Sequence, residues 1–184
     1  MIEKMRLKAS ESILVIVDVQ ERLARAMERR KQVEDAIGVL IRVAQLHDLP
    51  IVLTQQYTKG LGPTVEALGS RLEGIDPVEK ICFSCCGEEP FNRVLDSLSR
   101  HKVILTGMET HICVLQTALD LLDSDYTVHV PWDAVCSRTD GNRDAGLRFL
   151  EHAGAIVTSA ETVAFQILEK AGTPEFKEIS SLLK

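Results

Sequence analysis

The sequence predicts an α/β fold, a Rossmann-like three-layer α/β/α sandwich around a mostly parallel sheet of five or six strands. Three observations predict it. Short apolar runs rich in Val and Ile recur along the chain, and longer stretches of helical periodicity separate them. The first run is continuously apolar rather than alternating, the pattern of a strand buried on both faces. Strands that alternate with helices require crossover connections, and so a parallel sheet.

The elements follow in order. "SILVIVD" (12–18) is the first strand. A helix follows over 31–49, with Val33, Ile37, Leu40, Ile41, Ala44 and Leu49 at helical spacing. Pro50 opens the second strand, "PIVLTQQ". Further strands are read at 101–108, 126–135 and 155–159, and further helices at 88–100, 110–124, 140–153, 160–170 and 174–183. The stretch 55–88 is the least regular and reads as a substrate-facing lid or a plain surface loop.

Composition narrows the function. The chain of 184 residues, 45% hydrophobic and 26% charged, fits one domain spanning 1–184 with a sizeable core. Aromatics are only 4%, so Leu, Ile, Val and Ala must fill that core. Lys and Arg number 21 against 27 Asp and Glu, a net charge of −6 with no basic block. This argues against nucleic acid or an anionic membrane surface as partner. The N-terminal apolar run is broken by Asp18 and does not read as a signal peptide, and no run reaches membrane-spanning length. A cytoplasmic location is expected. Five cysteines, Cys82, Cys85, Cys86, Cys113 and Cys136, are an odd number and read as free thiols.

In parallel sheets, ligands bind beyond the carboxyl ends of the strands. That rule points to Asp18 and Gln20, to Thr54–Tyr57, to Thr106–Cys113 and to Trp132–Arg138. Asp18 either serves a function there or caps the following loop. Cys113 lies on the arc of its helical wheel shared with Gln116, Thr117 and Asp120, opposite the apolar stripe. Thr110 as N-cap makes Cys113 the third helical residue, where free N–H groups and the helix dipole favour a thiolate and can hold an oxyanion. His111 is a poor partner for it, because two residues on a helix diverge by about 200°.

Lys80, in "DPVEKICFSCC", is on position alone an ordinary solvated lysine. Cys82, Cys85 and Cys86 resemble half of a metal site, but no second pair completes it, so no metal is expected. No nucleophile elbow, Walker loop or dinucleotide fingerprint is present.

Three segments together carry a resemblance. "LVIVDVQERL", "VEKICFS" and "GMETHICVLQTALDLL", in this order and at these separations, resemble the isochorismatase-like cysteine hydrolases. The similarity continues through "VHVPWDAVCSR", "LRFLEHAGAIVTSAETVAFQIL" and "PEFKEISSLLK". The resemblance implies the fold of that family and a triad of Asp18, Lys80 and Cys113. It implies a cis peptide at Met108–Glu109 and an oxyanion hole made by the N–H groups of Glu109 and Cys113. Asp18 then takes the thiol proton, Lys80 orients Asp18 and favours the thiolate, and Cys113 attacks a carbonyl to give a thioester.

Two departures refine this. Isochorismatases proper resemble the chain in fold but lack the nucleophilic cysteine, so Cys113 argues against that activity. Nicotinamidases of the family carry Asp and His metal ligands near the second strand, where this chain reads "VLTQQYTKGLGPT" without histidine.

The expectation is therefore a cofactor-independent hydrolase of an amide-type C–N bond in a small molecule. It is expected to be a homo-oligomer, with Gln20, Gln56, Phe83, Thr110 and Trp132 as pocket candidates. Two alternatives stay open: a non-catalytic oligomeric binding or assembly protein on this fold, and a redox sensor using Cys82, Cys85 and Cys86.

Overall fold

A computed structural model describes residues 2–183. Seven strands form one sheet: β1 Ser12–Val17, β2 Ile51–Gln56, β3 Val78–Lys80, β4 Lys102–Met108, β5 Thr127–Pro131, β6 Val135–Cys136 and β7 Ile156–Thr158. Their order is β3-β2-β1-β4-β5-β7, with β6 pairing to the end of β4, and every ladder between them is parallel.

The count exceeds the expected five or six because β3 and β6 are too short to show a period. β3 lies inside the stretch read as irregular. The run 126–135 is not one strand: it breaks after Pro131 in a turn closed by the Ala134 N–H on the Pro131 carbonyl at 3.0 Å.

The six longer helices are α1 Arg30–Leu46, α2 Glu89–Leu98, α3 Leu115–Asp123, α4 Asp140–Ala153, α5 Ala160–Leu168 and α6 Pro174–Leu182. The last three start where the sequence supplies a cap. Thr139, Ser159 and Thr173 accept the N–H of Asn142, Thr162 and Phe176. Gly154, at φ 103°, ends α4.

Alternate residues of β1 feed two cores. Leu14 and Ile16 pack with α1, α5 and α6, whereas Ile13, Val15 and Val17 pack with α2, α3 and α4. This makes the three layers, and it explains why β1 is apolar throughout: all six of its residues are buried.

The sheet's winding reverses between β1 and β4. From β1 the chain builds outward through β2 and β3, and from β4 it builds the other way through β5 and β7. The crevice at such a reversal is where parallel sheets hold ligands. Close approach of the two strands there depends on Gly107, which pairs with Val17 at φ 116°. A Cβ at Gly107 would sit 2.0 Å from the Val17 carbonyl oxygen. No helix among the described residues is long and apolar enough to cross a membrane.

Candidate active site

Asp18 follows β1 directly at the reversal and takes a left-handed backbone at φ 52°, a conformation aspartate tolerates better than most residues. Its carboxylate is fully buried. Oδ1 accepts the Thr54 hydroxyl at 2.8 Å. Oδ2 lies 2.7 Å from the Lys80 ammonium, yet no donor approaches it along a good hydrogen-bond direction. One lone pair of the carboxylate is thus open to a proton.

Lys80 closes β3 and reaches inward with its side chain wholly buried. Such burial is tolerated only with full pairing. Besides Asp18, its Nζ faces Gln56 Oε1 at 2.5 Å and the carbonyls of Cys82 and Phe83 at 3.1 Å each. The loop that supplies those carbonyls is itself pinned, since the Glu88 carboxylate accepts the N–H groups of Ile81 and Cys82.

Cys113 comes from the segment after β4. The Met108–Glu109 peptide is cis. Residues Thr110–Val114 then form a π turn that runs into α3. The expected continuous helix over 110–124 is therefore two structures. Thr110 does not cap it: its side chain makes no capping bond, and its buried hydroxyl has no hydrogen-bond partner. The N–H groups of Ile112 and Val114 both go to the Glu109 carbonyl, at 3.1 and 3.2 Å, on either side of Cys113.

The wheel placed Cys113 outside the buried stripe, and the structure places it inside. Cys113, Val114, Thr117, Ala118 and Leu121 are buried, while Ile112, Leu115, Leu119 and Leu122 are only half-buried. Hydrophobicity alone misorients the helix because its polar residues have partners within. The Thr117 hydroxyl accepts the Cys85 N–H at 2.9 Å, and the Cys113 thiol lies near the Asp18 carboxylate.

The electrostatics also differ from a helix-terminus thiolate. Burial, reinforced by the Asp18 charge and opposed by Lys80, pushes the Cys113 thiol up to about 12. Desolvation and a neighbouring carboxylate outweigh the fractional charge of a helix end. Burial raises the Asp18 pKa, and Lys80, Thr54 and Cys113 offset this only in part. Burial lowers that of Lys80, but its neighbours, the Asp18 charge foremost, together outweigh it and the net shift is upward.

The structure thus brings Asp18, Lys80 and Cys113 together from three strand ends. Gln56 joins them through Lys80. Gln20 does not face the pocket: its amide donates to the carbonyls of Gln56 and Gly62 and accepts the Gln56 N–H. It clamps the end of β2 to the next loop. Phe83 contributes its carbonyl, while its ring is exposed. Trp132 ends β5, two strands from β1, and lies exposed beneath the Arg143 guanidinium. His111 turns away to Ser137, at 2.9 Å, as its spacing required.

Thr54, within the stretch the strand-end rule pointed to, orients Asp18, and Cys85, expected only as a metal or redox candidate, places a second buried thiol beside Thr54 at 3.9 Å. A polar residue inside the apolar run of β2 was the available signal for Thr54. Cys82, Cys85 and Cys86 are free thiols of very different exposure. Among the described residues, no three His, Cys, Asp or Glu side chains converge as metal ligands.

Comparison with known proteins places the chain. The isochorismatase domain matches residues 12–162. The chain is 40% identical over 183 residues to the secreted isochorismatase effector Isc1 of Phytophthora sojae, covering 97% of this chain and 87% of that one. It is 38% identical over 180 residues to rat isochorismatase domain-containing protein 2, covering 97% and 84%. The solved structure of MAR1 ribonuclease from Caenorhabditis elegans superposes with a TM-score of 0.90 at 36% identity, over 97% of this chain and 92% of that one. The chain belongs to the isochorismatase domain family.

Proposed function

We propose that this protein is a cysteine hydrolase that cleaves an amide-type C–N bond in a small molecule through a thioester on Cys113. One observation carries the reading. A fully buried Asp18, held 2.7 Å from Lys80, lies near enough to raise the Cys113 thiol pKa, and its Oδ2 accepts no hydrogen bond.

The resting thiol is neutral, so attack and proton loss go together. Asp18 Oδ2 takes the S–H proton as sulfur bonds to the carbonyl carbon. The carbonyl electron pair moves to oxygen, where the N–H groups of Glu109 and Cys113 hold it. Collapse breaks the C–N bond, and Asp18 gives its proton to the departing amine. Water then attacks the thioester, Asp18 receives its proton, and the acid leaves as sulfur regains a hydrogen. Lys80 keeps Asp18 anionic between these transfers and fixes its plane. These steps use only the chain's own groups and call for no cofactor.

Gln56 and the unpartnered Thr110 hydroxyl are the pocket groups we assign to substrate. The C. elegans relative is described as a ribonuclease, but RNA is not our choice for this chain. Its net charge is −6, and the Lys80 ammonium is spent on Asp18 and three other acceptors. Exposed Phe149 and Phe165 support a homo-oligomer, five free cysteines support a cytoplasmic protein, and the single continuous sheet supports one domain.

The test is mass analysis of the whole protein after treatment with chloroacetamide and with activated acyl esters. An adduct on Cys113, absent from Cys113→Ala, is expected beside that on the exposed Cys82. Adducts confined to exposed Cys82 would overturn the reading.

A further inference from the structure

The π turn that carries Cys113 is pressed from outside by α4. At the point of contact α4 has a glycine. A Cβ on Gly146 would lie 3.1 Å from both the Cα and the N of His111, and 3.2 Å from the carbonyl carbon of Thr110. These are backbone atoms, so no side chain can swing aside. Glycine inside a helix is unfavourable by about 0.5–1 kcal/mol relative to alanine, and here that cost permits backbone-to-backbone packing.

The helix cannot retreat from a larger residue. On the same face, three residues earlier, Arg143 is buried with its Nε on the Val135 carbonyl at 3.3 Å and an Nη on the Trp132 carbonyl. Four residues later, Leu150 is fully buried in the core that also contains Cys113. Gly146 sits between these two anchors. The turn is what must yield, and Cys113 follows two residues after His111.

We propose that Gly146 is a positioning residue. It sets how close the π turn lies to the sheet, and thereby the approach of the Cys113 thiol to Asp18. This rests on the cysteine chemistry proposed above.

The experiment compares Gly146→Ala with Gly141→Ala, a control in the first turn of α4 where a Cβ would meet nothing within 4 Å. The readout is the rate of chloroacetamide labelling at Cys113, with exposed Cys82 in the same molecule as internal reference. A displacement of a few tenths of an ångström should slow Cys113 labelling about tenfold in Gly146→Ala, leaving Cys82 and the Gly141→Ala control unchanged.

A merely structural role would lower the melting temperature and leave the Cys113 rate intact, and that result overturns the proposal. Should Gly146→Ala not fold, Arg143→Lys loosens the same helix without adding bulk. It must then alter the Cys113-to-Cys82 labelling ratio, and an unchanged ratio counts equally against the proposal. Failure of the wild-type protein to label at Cys113 overturns the cysteine chemistry itself. Normal wild-type labelling with an indifferent Gly146→Ala overturns only the positioning role.

Discussion

Asp18 and Cys113 act on each other's ionisation in opposite senses. The carboxylate charge raises the thiol pKa, whereas the neighbouring thiol lowers that of the carboxylate. A protein that wanted a standing thiolate would keep a carboxylate away from it. In the proposed chemistry the proton instead stays on sulfur until Asp18 removes it during attack.

Asp18→Asn should therefore have two effects of opposite sign. Removing the charge leaves Lys80 to draw the thiol pKa down from about 12, so alkylation of Cys113 by iodoacetamide at pH 9 should accelerate. Turnover of an acyl substrate should fall by roughly 10²–10⁴, the usual contribution of a positioned base. Parallel changes in both rates would contradict the assigned role.

The pH profile of activity follows from Asp18. Its folded pKa is raised above the ordinary 3.8, so it takes up its proton earlier as pH falls, and the acid limb of activity should lie above pH 3.8. For stability the same shift has the opposite sense. The folded state holds that proton more tightly, so this group's contribution declines as pH rises from 3.8 through the folded pKa. Because the Cys113 thiol is pushed up to about 12, acyl-ester hydrolysis should show no rise near pH 9 from thiolate formation, and a stopped-flow pH series would reveal one.

Lys80→Met should destabilise the fold by about 3–5 kcal/mol in urea titrations, because it strands a buried carboxylate. The double variant Asp18→Asn with Lys80→Met should recover a substantial part of that loss. Additive losses would mean that the two groups do not interact energetically.

His129 reports on the opposite end of the sheet. It is fully buried with Nε2 3.0 Å from the Lys4 carbonyl, and burial lowers its pKa from 6.5 to about 4. A depressed histidine stabilises fully above pH 6.5 and loses that contribution as pH falls towards 4. The loss should be on the order of 3 kcal/mol. Urea midpoints between pH 7 and pH 4.5 should drop more steeply for wild type than for His129→Gln.

Gly107→Ala should fail to fold or lose more than about 4 kcal/mol, since the new methyl would meet the Val17 carbonyl at a residue with φ 116°. A soluble variant with a near-native melting temperature would mean that β1 and β4 are spaced differently from the structure described.

The strands and longer helices were legible because burial on one or both faces imposes a period, and six residues of β1 suffice to display it. β3 and β6 were not, since two or three residues have no period. The π turn was hidden because Thr110–Val114 has the composition of an ordinary helix start. It packs closely against Gly146, which lies far along the chain. Lys80 could not be promoted from position alone. Its burial depends on the carbonyls of Cys82 and Phe83, and on Asp18 more than sixty residues away. Thr117 and Cys113 were misplaced because a hydrophobicity wheel gives no credit for interior hydrogen bonds.

Lys80 also joins the outermost strand of the sheet to a residue at the end of its central one. A descendant of this protein that no longer met its substrate would lose the thiol freely, since Cys113 could become alanine at little structural expense. It could not discard Asp18 or Lys80 singly without stranding a buried charge at the sheet's edge. If the proposed chemistry holds, an aspartate and lysine at these positions therefore mark inherited architecture, and the cysteine marks the thioester reaction.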